Sequence, residues 1–202
     1  MLTPSDVGFD ERGDVPLAEV YRLMDEGVID ISSSPVTSFV DDTPKAGLFL
    51  LPFLFENYDQ LETFFDSPTA NALLDDVSAA SRVRALTFTF SGGFRSVGLT
   101  QPADTLVGAR IASSGGLNET VQQTFKLMGA EVVPIMLDAE ADLQAADGVE
   151  MTYTRISELP AVSSLRTIIE TQHSVLVTMQ IVNDTFFDAL PPLQQVALVE
   201  AA

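Results

Sequence analysis

The sequence predicts an α/β fold with largely parallel sheets. Strand-like and helix-like segments alternate along the chain, the pattern that packs helices on the faces of a parallel sheet. The 202 residues are 46% hydrophobic, with 12 Gly and 11 Pro, which suits one or two compact domains with real cores. Two long strand-like segments, 83–90 and 174–182, stand apart from the shorter ones. They suit two crossings between lobes, with the intervening region inserted as a second lobe.

Each element has its own warrant. In "PLAEVYRLMDEG" (16–27), Leu17, Val20, Tyr21 and Met24 share a helix face, Pro16 suits the first turn and Gly27 the stop. "VIDIS" (28–32) reads as a buried strand. Asn57 with Gln60 three residues on resembles a capping box ahead of "YDQLETFF". Ser67 and Pro68 open a helix over "PTANALLDDVSAA". "VRALTFTF" (83–90) alternates with period two, Leu86, Phe88 and Phe90 on one side. "TLVGARIA" (105–112) reads as a strand. Next comes a small-residue loop at 113–116, then a helix capped by Asn118 with Val121, Phe125 and Met128 in one stripe. "AEVVPIM" (130–136) reads as a strand, "AEADLQAA" (139–146) as a helix and "VEMTYT" (149–154) as a strand. After "SVLVTMQIV" (174–182), Asp184 caps a short turn, and Pro191–Pro192 open a last helix.

Charge excludes whole classes of partner. Lys plus Arg number 10 against 29 Asp plus Glu, a formal net charge of −19. Such a surface repels nucleic acid and anionic membranes. A small anion would have to be held by a few locally placed Arg residues. With no Cys, disulfides and thiol chemistry are excluded. The longest apolar run, 46–55, has ten residues including a Pro and is too short to span a bilayer. The first fifteen residues lack the basic and apolar regions of a signal peptide.

Six stretches, in order over roughly 15–202, resemble segments of the solute-binding receptors of tripartite ATP-independent periplasmic (TRAP) transporters, the DctP-like family. They are "EGVIDISSS", "LPFLFENYDQLETFFDSPTANALLDD", "GGFR", "LVGARIASSGGLNETVQQTFKLMGAEVVPI", "ADGVE" and "QHSVLVTMQIVNDTFFDALPPLQQVALVEAA". The resemblance implies a two-lobed periplasmic-binding-protein fold of type II with mixed, mostly parallel sheets. It implies lobe I at 1–92 with 177–202 and lobe II at 93–176. Against the family pattern, the first βαβ elements and the long C-terminal helix are lacking, which implies a chain shortened at both ends and an unpaired sheet edge.

The resemblance also carries candidate ligand-binding residues. The family's anchoring Arg falls at Ala112, so the planar fork that suits a carboxylate is lost there. Arg110 stands where the family has Lys, on the same side of the strand as Ala112 and about 6.5 Å along it. It either leans toward the ligand or faces solvent. Arg95, in "GGFR", matches a ligand-contacting Arg, and its other reading is a structural pair with a carboxylate. Gly92 stands in place of a family Asn. Glu150 matches a Glu that orients its neighbours, and Met151 replaces a ligand-facing Asn. Two apolar replacements, Ala112 and Met151, make the site greasier.

Nothing marks an enzyme. His173 is the only His and reads as structural; no G-x-S-x-G elbow, carboxylate dyad or His/Cys metal cluster is visible. No Walker-type Lys follows the loop at 113–116, which argues against nucleotide. The expectation is therefore a non-enzymatic periplasmic receptor, without cofactor or metal. It binds a small organic acid in an interlobe cleft and delivers it to TRAP membrane permease subunits. The alternative is a truncated, non-transporting relative acting as an interaction protein or homo-oligomer through its exposed sheet edge.

Overall fold

The computed structural model describes residues 17–114, 118–135 and 146–202. Residues 115 and 116 of the loop expected at 113–116, residues 139–145 of the helix expected at 139–146 and everything before Leu17, Pro16 included, lie outside the described residues. The chain divides into two compact units. Unit 1 comprises 1–49, 57–90 and 177–202; unit 2 comprises 50–56 and 91–176.

In unit 1, helix α1 (Leu17–Asp25) buries Val20, Leu23 and Met24. It ends on Gly27 at φ +66°, with Gly27 N–H bonded to the Met24 carbonyl and Val28 N–H to that of Leu23. This left-handed close satisfies carbonyls the helix leaves open, and Gly takes it without a Cβ penalty. Strand β1 (Ile31–Pro35) pairs antiparallel with β7 (Val175–Asn183). The strand expected at 28–32 thus starts three residues later, because Gly27 to Asp30 are spent on the turn that leaves α1.

Helices α2 (Tyr58–Phe65) and α3 (Pro68–Ala80) begin where the caps predict. The side chain of Asn57 accepts from Gln60 N–H, and that of Ser67 from Ala70 N–H. The core of this unit is aromatic. Phe88 lies 5.7 Å from Phe49 and 5.4 Å from Phe65 by ring centroids, and Leu61 is fully buried. Asn183 accepts from Phe186 N–H to open helix α6 (Asp184–Ala189). The expected cap at Asp184 therefore moves back one residue. The last helix, Pro192–Ala201, buries none of its residues.

Strand β2 (Val83–Leu99) runs from unit 1 into unit 2, and β7 returns, its first two residues in unit 2 and the rest in unit 1. In unit 2, β2 pairs antiparallel with β5 (Gly148–Thr152) and with β6 (Thr167–Ile169). Strand β3 (Arg110–Ser113) lies parallel to both β5 and β4 (Glu131–Pro134). Helix α4 (Glu119–Leu127) joins β3 to β4, capped by Asn118, and buries Phe125. Residues 105–109 are not part of β3, and Tyr153 and Thr154 open helix α5 (Tyr153–Glu158) rather than extending β5.

The α/β class holds, but the expectation of mostly parallel sheets does not. Three of the pairings named above are antiparallel and two parallel. Alternation along the chain fixes neither which strands neighbour nor their sense. A parallel pair between successive strands needs a crossover helix between them, and β3–α4–β4 is one such unit. The strand β1 instead pairs with β7, about 150 residues on by the printed register.

Candidate functional site

The chemistry of unit 2 gathers on Glu150. All five residues of β5 are buried, so this strand is covered on both faces, and consecutive side chains point to opposite faces. Glu150 and Met151 therefore diverge. Met151 packs with Ala112, Val149, Ile135 and Ile156 in one apolar cluster. Ile111, Val97 and Phe125 belong to another.

A carboxylate that is only 2% exposed must be paired. Arg95 does this with a fork: its Nε donates to Glu150 Oε1, and its Nη2 to Oε2 at 2.8 Å. Cross-strand register makes the pair possible, since Arg95 lies opposite Thr152 and Val97 opposite Glu150. Ser113 Oγ donates to Oε2 at 2.7 Å, and its residue lies beside Glu150 across the parallel β3–β5 ladder. His173 Nε2 stands 3.3 Å from Oε1. The imidazole is held in turn by Thr171 Oγ1, 2.7 Å from Nδ1, and by a T-shaped contact with Phe125 at 5.2 Å between centroids. Burial alone pushes the Glu150 carboxyl up. The Arg95 guanidinium outweighs it, helped by His173, and holds the group well below its ordinary value of 4.5.

The five candidates are thus divided. Arg95 and Glu150 are brought together, and 17% of the Arg95 side chain stays open to solvent. Ala112 is fully buried and Met151 5% exposed, side by side in the apolar cluster on the other face of β5. Arg110 is exposed at the start of β3, opposite Glu131, and its N–H donates to the Asp147 carboxylate. The reading of Arg95 as a carboxylate pair describes what the geometry contains. Ser113 and Thr171 were missed as partners of the site. No spacing rule couples them to Glu150, because the contacts arise from β3–β5 register and from the turn before β7.

Gly92 has its own explanation. Its φ is +74°, and a Cβ there would lie 2.4 Å from Thr152 Oγ1. That oxygen is buried and has no hydrogen-bond partner among the described residues. The position excludes a side chain sterically, so the absence of the family Asn comes with a backbone an Asn would strain. No group of three or more His, Cys, Asp or Glu able to hold a metal exists among the described residues. No described helix is long and apolar enough to cross a membrane.

In unit 2, then, a buried carboxylate is held by a guanidinium fork, a hydroxyl and an imidazole. The family model for DctP, bacterial extracellular solute-binding protein family 7, matches residues 31–202, and the chain belongs to that family. It is a periplasmic, TRAP-associated family of receptors, not of enzymes. A curated protein of Haemophilus influenzae, described only as uncharacterized, is 25% identical over 189 residues, covering 87% of this chain and 55% of that protein. Among solved structures, a TRAP periplasmic solute-binding protein from Pseudomonas putida F1 with bound D-glucuronate superposes with a TM-score of 0.79. It is 21% identical, covering 96% of this chain and 65% of that one. One from Pseudomonas aeruginosa PAO1 with bound L-malate gives 0.75 at 19% identity, covering 95% and 68%. The apo open form from Escherichia fergusonii gives 0.77 at 22%, covering 91% and 63%. These likenesses establish the fold. The chain spans little more than half of the curated relative and about two thirds of the solved ones.

Proposed function

We propose that this chain is the ligand-binding part of an extracytoplasmic solute receptor that takes a small organic acid and passes it to a TRAP-type membrane permease. The observation that carries the reading is Arg95. It is a guanidinium in a strongly acidic protein, fixed by Glu150 yet partly open to solvent. A rigidly held Arg recognises a carboxylate well, because little conformational freedom is lost on binding. Family membership and the acids named for the solved relatives support the same class of ligand. The lobe assignment, 1–92 with 177–202 against 93–176, belongs to this proposal, as does a periplasmic location. Function then rests on closure around ligand, favoured by contacts that differ between open and closed states.

The test is thermal shift and calorimetry with D-glucuronate, galactonate, orotate and L-malate. At least one should raise the melting temperature, and Arg95→Lys, which keeps the charge and loses the fork, should weaken that ligand tenfold or more. No response to any of the four overturns the receptor reading.

A further inference from the structure

Two non-glycine residues in the described chain have positive φ, Phe53 at 57° and Gln172 at 48°. They are far apart in sequence yet meet: Phe53 N–H donates to the carbonyl of His173, the residue after Gln172, at 2.7 Å. The next carbonyl, that of Ser174, accepts from Arg95 N–H at 2.8 Å. Phe53 and Arg95 are therefore tied to consecutive carbonyls of one segment, all within unit 2. Each such bond holds two backbones about 5 Å apart, so the main chains of Phe53 and Arg95 lie within about 10 Å of each other.

The ring of Phe53 is not where a phenylalanine gains stability. The residue is 57% exposed, and in the same loop Leu51 is 50% and Leu54 40% exposed. A left-handed backbone favours Gly or Asn. An exposed aromatic kept there by surrounding bonds, beside the Arg95–Glu150–His173 group, has the character of a strained residue retained for contact. Its neighbour His173 is locked by Glu150 and Thr171, so the strained turn has a rigid base.

We infer that Phe53 is a specificity-determining residue whose exposed ring receives the ring or apolar face of an organic acid whose carboxylate is held at Arg95. This rests on the receptor reading above. It narrows the ligand class to acids with a ring, such as a hexuronate or a pyrimidine carboxylate. Aromatic faces take C–H surfaces and flat rings, and the ring pays little entropy for doing so.

Calorimetry of wild type, Phe53→Gly and Phe53→Tyr against D-glucuronate, orotate and L-malate tests it. Wild type should bind at least one ring acid more tightly than L-malate. Phe53→Gly should weaken that acid tenfold or more, change L-malate less than threefold, and melt no lower than wild type, since Gly relieves the backbone. Phe53→Tyr should keep ring-acid affinity within threefold. If L-malate binds best, or Phe53→Gly leaves ring-acid affinity intact, the inference falls while the receptor reading stands. If Phe53→Gly melts well below wild type, the ring is a packing element and the inference falls. If none of the three acids binds wild type the inference falls, and if galactonate fails as well the receptor reading falls with it.

Discussion

Arg95 and Glu150, 55 positions apart, lie on antiparallel neighbours and meet fork to carboxylate inside unit 2. The pair is worth most when broken. Removing the cation leaves a buried carboxylate with Ser113 and His173, among the described residues, to satisfy it.

Arg95→Ala should therefore destabilise the protein by about 3–5 kcal/mol, the scale of an orphaned buried charge. Arg95→Ala with Glu150→Gln should recover part of this, because the amide costs less to bury uncharged. Urea unfolding of both variants measures the difference. A loss under about 1 kcal/mol for the single variant would show that the pair is screened like a surface one.

The depressed Glu150 carboxyl fixes the sign of an acid limb. Its folded value lies below the ordinary 4.5. Its contribution is therefore complete above that value and is lost as pH falls below it toward the folded value. Melting temperature should decline below about pH 4.5. Glu150→Gln should start lower at pH 7 and show a shallower decline between pH 5 and 3. Parallel curves for the two proteins would contradict the assignment.

At Gly92 two costs coincide, a positive φ and an oxygen where a Cβ would go. Gly92→Ala should cost about 2–4 kcal/mol, combining left-handed strain with overpacking. Adding Thr152→Ala should relieve the part of the clash made by Oγ1, while the close approach of Thr152 Cβ at 2.9 Å and the backbone part stay. A double-mutant cycle reads the coupling, and strict additivity would refute the contact.

Asn118 accepts from both Thr120 and Val121 N–H at the start of α4. Asn118→Ala should destabilise by about 1 kcal/mol and Asn118→Ser by much less. Chemical denaturation separates them.

Local signals carried through where they were local. Asn57, Ser67 and Asn118 each cap the helix that follows, and Gly27 ends α1, because cap and turn chemistry act within a few residues. The register of β1 slipped because an apolar run does not show where a turn ends. The cap at 184 slipped to Asn183 because both residues are competent. Sheet sense was illegible, since pairing of β1 with β7 depends on contacts about 150 residues apart. The site was half legible. Arg95 and Glu150 were found, but their mutual engagement needed β2–β5 register. Ala112 and Met151 looked like part of the same wall until strand alternation sent Met151 away from Glu150 into an apolar cluster.

Strands β2 and β7 each belong to both units, and ladders in each unit end on them. Melting unit 1 loosens the part of β2 that continues into the β2–β5 ladder, and melting unit 2 loosens the start of β7, which continues into the β1–β7 ladder. Heat should accordingly denature the protein in one cooperative step, with calorimetric and van't Hoff enthalpies agreeing, although the chain is built as two bodies.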